Sequence, residues 1–164
     1  MGPMQTLVSE RLEAARGVWT EFESPSFPVT LSDIRRWAIA VHWPEPPPRV
    51  HWDEEYAGTT RWGGVIAPPE FNPFAWPVER VETDWRPYAP EPGEPGQHLL
   101  NGGRRSIFRT PIRPGDVIRC RRRVQGFAER HGRFGLTLYV DMERELVNQH
   151  GAIVRTDVDT IVRH

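Results

Sequence analysis

The chain has 164 residues, enough for one domain to bury a core without disulfide staples and few for two. Its 21 basic and 22 acidic residues leave a net charge of -1, so nothing in the bulk composition draws it to nucleic acid or to an anionic membrane. The single cysteine, Cys120, cannot close an internal disulfide, no apolar run approaches the roughly 18 residues of a membrane span, and Glu10 and Glu13 sit where a signal peptide would be apolar. These features predict a cytoplasmic protein without membrane or nucleic-acid partners.

Taken in chain order, Leu7 to Arg16 reads as a short N-terminal packing helix, with Val8, Leu12 and Ala15 along one side and Gly17 at its stop. An extended stretch rich in Ser, Pro and Phe follows. Thr30 then precedes Asp33 at capping-box spacing, and Leu31, Ile34, Trp37, Ala38 and Val41 recur at helical intervals, which predicts a helix from about Ser32 to His42. Pro44, Pro46, Pro47 and Pro48 forbid further helix and hold the chain extended to His51. Asp53 to Thr59 is a second short helical turn, closed by Gly63 and Gly64. The apolar segment Val65 to Val81 reads as a buried helix, shortened or kinked by Pro73 and Pro77. Arg86 to His98, rich in Pro and Gly, is an exposed loop.

Alternation with a period of two dominates the last third. Phe134, Leu136, Leu138, Val140 and Met142 fall on one strand face, with Thr137, Tyr139, Asp141 and Glu143 on the other. Val117 to Phe127 and Ala152 to Arg163 behave similarly, with turns at Pro114 to Asp116, His131-Gly132 and Asn148 to Gly151. Helices first and strands afterwards predict an α+β domain covering the whole chain, an antiparallel meander curled around one buried helix.

The basic run Arg119 to Arg123 splits between the two faces of a strand, Arg119, Arg121 and Arg123 on one side and Arg122 on the other, and reads first as a solvated or subunit-facing sheet surface. Phosphate binding is the alternative use of these arginines, but no nucleic-acid motif accompanies them. None of the six histidines stands at a metal-ligand spacing, and neither a nucleophile elbow nor a phosphate-binding glycine loop occurs, so neither metal nor cofactor is expected.

The informative stretch is His51-Trp52-Asp53-Glu54-Glu55-Tyr56-Ala57, followed by Arg61-Trp62-Gly63-Gly64-Val65-Ile66-Ala67-Pro68-Pro69, then Leu100-Asn101-Gly102-Gly103 and Arg113-Pro114-Gly115-Asp116-Val117. In order and spacing these resemble the MaoC-like dehydratase family, whose N-terminal-type domains run from a helix through Gly-Asp and Asn-Pro-x-His-x-Asp to Tyr-Ala, a Gly-rich turn and Ile-Ala-Pro. The likeness covers roughly Phe27 to Arg163. It implies a hot-dog fold working as a homodimer, or as a heterodimer with another hot-dog subunit, on acyl thioesters of coenzyme A or a carrier protein, with no further cofactor.

Adding water to an enoyl thioester requires one group to activate the water and another to handle the proton at the alpha carbon, while backbone N–H groups polarise the thioester oxygen. By resemblance His51 is the family histidine, set against an ordinary loop-end histidine as the alternative. The family aspartate, five positions earlier, is replaced by Pro46, and Trp43 stands directly after the helix; Glu45 is the carboxylate left to substitute. Pro69 falls where the family offers a backbone N–H, which proline lacks, so the amide of Glu70 would serve instead. Trp62, Phe71, Phe74 and Trp76, with Pro69 and Glu70, are the predicted pocket residues. The leading expectation is an enoyl-CoA hydratase or 3-hydroxyacyl-thioester dehydratase, or a subunit of one. A catalytically incomplete acyl-binding subunit of a hot-dog heteromer is the alternative, and a thioesterase using Glu70 or Glu79 on the central helix is the third.

Overall fold

The structure is a computed structural model and describes residues 6–75, 85–133 and 135–164. Three short helices precede four strands: α1 (Glu10–Ala15), α2 (Leu31–His42), a 3-10 turn (Arg49–His51), α3 (Glu54–Thr59), β1 (Leu99–Phe108), β2 (Arg119–Gly132), β3 (Gly135–Val147) and β4 (Ile153–Arg163). The helix starts are set by local chemistry. Ser9 and Asp53 accept from backbone N–H groups of α1 and α3, and Thr30 and Asp33 form a reciprocal capping box on α2.

The strands form one antiparallel sheet in the order β1-β4-β3-β2. The β2–β3–β4 meander follows the predicted alternation: Leu138, Val140 and Met142 lie on the buried face. Phe134, expected on the same face, is outside the described residues. Beside β2, the extended residues 17–29 donate the N–H groups of Gly17, Thr20, Glu23, Ser26 and Val29 to carbonyls of β2 and the turn before it, at 2.7–2.9 Å. This covers the β2 edge up to Val124. The other edge strand, β1, is exposed along nearly its whole length and carries Leu99, Leu100, Ile107 and Phe108, each 41–53% exposed.

Two apolar clusters line the inner face. One gathers Ile34, Ala57, Val65, Ala67, Phe71, Ile118, Cys120 and Leu146; the other joins Leu7 and Leu12 to Val124, Leu138, Val140 and Met142. Between them the strand register places a polar row, Arg122, Arg144, Asp157 and Ser106, straight across the four strands. Asp157 is 1% exposed and takes a hydrogen bond from Ser106 at 2.7 Å, ion pairs with Arg144 at 2.8 Å, and lies 3.2 Å from Arg155. Burial by itself would raise its pKa. The Ser106 and Arg144 hydrogen bonds and the charges of Arg155 and Arg144 outweigh burial and hold the carboxyl below its ordinary value.

The basic run splits between the two strand faces as the periodicity suggested, and three of its arginines meet acids. Arg121 pairs with Glu145 at 2.7 Å and Arg123 with Glu143 at 2.6 Å, their guanidinium groups over Trp19, while Arg122 turns inward to Glu23 at 3.0 Å. One expectation fails. The described part of Val65 to Val81, up to Ala75, holds turns and no helix; the rest, including Pro77, is outside the described residues. Pro68, Pro69 and Pro73 each remove a backbone donor, and Pro73 also disfavours helical geometry at Asn72, so the apolar character that suggested a helix is buried as irregular chain instead.

Because removing one partner from a buried ion cluster leaves the others uncompensated, Asp157→Ala strands Arg144 and Arg155 in the interior. The expected loss is about 3–5 kcal/mol of stability, read as a lowered midpoint of chemical denaturation.

Candidate functional site

Four consecutive features place His51. α2 ends at His42, the proline-rich stretch turns the chain back, the 3-10 turn Arg49–His51 lifts the histidine inward, and α3 starts from Asp53. Arg49 clamps Asp53 at 2.7 Å and so ties the turn to the helix start. Hydrogen bonding to the Tyr56 N–H, then to Arg49, holds the Asp53 carboxyl below its ordinary value. Opposite runs the segment 65–67, whose Ile66 N–H donates to the Val50 carbonyl at 3.4 Å and whose Ala67 N–H donates to Ile112.

His51 is 7% exposed, and its Nδ1 lies 2.8 Å from the Ile66 carbonyl oxygen. A carbonyl only accepts, so Nδ1 carries the hydrogen and Nε2 is left as an unprotonated acceptor. Desolvation lowers the pKa of the ring more than the Ile66 bond raises it, and the nearby His42 lowers it further. The result is a neutral imidazole with one free basic nitrogen, the state a general base requires. His42, which sequence reasoning passed over, is the second imidazole: its ring centroid is 6.1 Å from that of His51, and its own Nδ1 lies 2.9 Å from the Ala38 carbonyl oxygen. Its place in the last turn of α2, with the carbonyl acceptor four residues back, was the available signal.

The other predicted residues divide. Glu45 lies in the exposed turn after α2, its N–H bonded to the His42 carbonyl and its carboxylate in no hydrogen bond or ion pair among the described residues. Pro69 and Glu70 are the exposed corner of a turn closed by the Phe71 N–H on the Pro68 carbonyl at 2.9 Å; no acceptor among the described residues meets the Glu70 N–H. Phe71 is buried, edge-on to Trp37 with centroids 5.7 Å apart, and Phe74 packs on the same cluster. The indole nitrogen of Trp37 is buried without a partner. Trp62 is half-buried under Arg61, and its carbonyl accepts from Arg113 at 2.6 Å. Trp76 is outside the described residues. Structure thus brings Phe71 and Phe74 into one cluster with Trp37 and leaves Glu45, Pro69 and Glu70 at the surface. A cavity of about 680 Å³ opens elsewhere, along Trp85, Tyr88, Leu100, Arg104, Met142 and Arg144. No group of three or more His, Cys, Asp or Glu able to hold a metal occurs among the described residues, nor does a helix long and apolar enough to cross a membrane.

A sheet whose strands follow an N-terminal helical region, with a buried histidine presented beside a Gly-rich turn, is the hot-dog arrangement, and solved structures agree. The MaoC-like dehydratase from Rhodospirillum rubrum aligns over 93% of this chain and 94% of its own at 20% identity, with a TM-score of 0.62. The ChsH1-ChsH2 complex from Mycobacterium tuberculosis aligns over 96% and 88% at 14% identity, TM-score 0.70. The C-terminally truncated HadBC (3R-hydroxyacyl-ACP dehydratase) complex from the same organism aligns over 90% and 96% at 19% identity, TM-score 0.60. No curated protein sequence matches. Residues 15–157 match the family model described as FAS1-like, dehydratase domain region, and the chain belongs to that family of MaoC-like hot-dog dehydratases.

The lowered pKa of His51 sets a pH dependence. An unfolded histidine takes up its proton near about pH 6.5 and the folded one only at lower pH, so between those values the unfolded state binds more protons. The stability this neutral ring provides is complete above that window and is lost as pH falls through it. Thermal unfolding midpoints are expected to drop as pH falls from about 7 through the acid range, and to drop less in His51→Asn, whose amide nitrogen takes the place of Nδ1 as donor to the Ile66 carbonyl.

Proposed function

We propose that this chain is a subunit of an enoyl-thioester hydratase or 3-hydroxyacyl-thioester dehydratase, acting on substrates carried by coenzyme A or an acyl carrier protein, with His51 as the general base. The observation that carries the proposal is the buried His51 ring, fixed through Nδ1 to Ile66 and left with a free Nε2. In hydration, Nε2 takes a proton from water as the oxygen attacks the beta carbon, and negative charge moves through the alpha carbon to the thioester oxygen. The unpaired N–H of Glu70 is the proposed donor to that oxygen, a role the Pro69 position cannot fill. Phe71 and Phe74, with Trp62 and Trp76, would cover the acyl chain. Glu45 is the carboxylate alternative for the second proton-handling group. A thioesterase is the weaker reading: Glu70 stands on an exposed turn instead of a central helix, and Glu79 is outside the described residues.

The test is hydration of a trans-2-enoyl-CoA by the purified chain, alone and together with a hot-dog partner subunit. Loss of the base in His51→Ala is expected to lower kcat by about 10²- to 10⁴-fold while the circular dichroism spectrum stays unchanged. Undiminished turnover in that variant would remove His51 from the reaction. No turnover in either preparation would favour the acyl-binding alternative.

The open β1 edge supports a paired assembly, because exposed backbone donors and apolar side chains along an edge invite another strand. Two of the similar structures are themselves complexes, HadBC and ChsH1-ChsH2. The proposed partner, a second copy or another hot-dog subunit, joins its sheet to this one along β1. Sedimentation at micromolar concentration is expected to give a dimer, and the double substitution Leu100→Asp with Ile107→Asp to give a monomer. A wild-type chain that stays monomeric and recruits no hot-dog subunit on co-expression would count against this pairing.

A further inference from the structure

Resting on the proposed hydratase reading, we infer that His42 is the second proton-handling residue of the site, so that a histidine pair, His51 as base and His42 as acid, does the work without a carboxylate. Three observations carry this. The rings are neighbours, with centroids 6.1 Å apart and planes inclined by 35°. Each ring is locked the same way, His42 Nδ1 on the Ala38 carbonyl at 2.9 Å and His51 Nδ1 on the Ile66 carbonyl at 2.8 Å, so each has Nε2 as its working nitrogen. No carboxylate among the described residues is bonded to either ring. The nearest acid on the turn and helix that present His51, Asp53, is paired with Arg49, and the exposed Glu45 carboxylate has no partner among the described residues.

The two rings differ in environment as an acid and a base should. His51 is buried and its ring is held neutral by desolvation, whereas His42 is half-buried in the last turn of α2 and open on one side to solvent, from which it can take up a proton. With both Nδ1 atoms engaged on carbonyls, the two Nε2 atoms are the nitrogens left for a substrate or water to meet. In hydration the O–H bond of water breaks toward His51 Nε2, and the oxygen forms its bond to the beta carbon. The alkene electron pair moves to the alpha carbon, which takes a proton from Nε2 of His42, a ring that enters the step as the imidazolium with one hydrogen on Nδ1 toward Ala38 and one on Nε2. His51 ends protonated and His42 neutral, and solvent carries the proton back, so the sum is water plus enoyl thioester giving 3-hydroxyacyl thioester. Dehydration runs the same steps in reverse.

The test combines turnover with a readout that needs none. In the active preparation, His42→Gln is expected to lower kcat by about 10²- to 10⁴-fold with KM nearly unchanged, and chelator to have no effect. Followed by NMR, the titration midpoint of the His51 ring is expected to rise in His42→Gln, because the repelling neighbour is gone. An active wild type with His42→Gln within about threefold of it, a loss carried by Glu45→Gln instead, an unmoved His51 titration, or turnover abolished by chelator would each overturn the histidine pair while leaving the hydratase reading intact. A wild type without hydratase activity in any assembly would overturn that reading and this inference together.

Discussion

Everything in the molecule is arranged around a carboxylate in the middle of its sheet. Asp157 sits where a hydrophobic side chain would ordinarily pack, and its charge is tolerated only because Ser106, Arg144 and Arg155 converge on it. That convergence requires β1, β4 and β3 to hold one register, since a slip of one residue would turn the row to the other face. It also divides the core, leaving one apolar cluster for α1 and another for α2, α3 and the segment 65–71. The second cluster supports the histidines, and Arg155 reaches across from the charged row to the Phe71 carbonyl at 3.4 Å. Sheet electrostatics and the candidate site therefore meet at the turn that carries Glu70.

The site itself is made by main-chain groups. Backbone carbonyls at Ala38 and Ile66 fix the Nδ1 side of His42 and His51, and the backbone N–H of Glu70 meets no acceptor among the described residues. Prolines bring this about by elimination: those after α2 end the helix at His42 and return the chain to His51, while Pro68 and Pro69 keep the facing segment out of a helix.

Much of this was legible in the sequence. Capping chemistry at Thr30 announced α2 within a residue or so, and the alternation of Leu138, Val140 and Met142 announced β3, because both signals are local. Hot-dog order was legible from His51 to Pro69 through the family likeness. The segment 65–75 was misjudged since apolar composition reports burial and says nothing of backbone geometry once prolines interrupt it. His42 was overlooked for a different reason: its value lies in a partner across a proline turn, and a histidine closing a helix looks in sequence like ordinary complementing of the helix dipole. Nor could the sequence separate Asp157 from the solvent-facing acids of an alternating strand, because its three partners come from three different strands.

The extended residues 17–29, laid along β2, limit how copies of this chain can combine. A sheet with two open edges can add strands at both, and such units link head to tail without end. Here the first half of the β2 edge, up to Val124, is already paired within the chain, so that stretch offers no template to another copy and open-ended growth is hindered on that side.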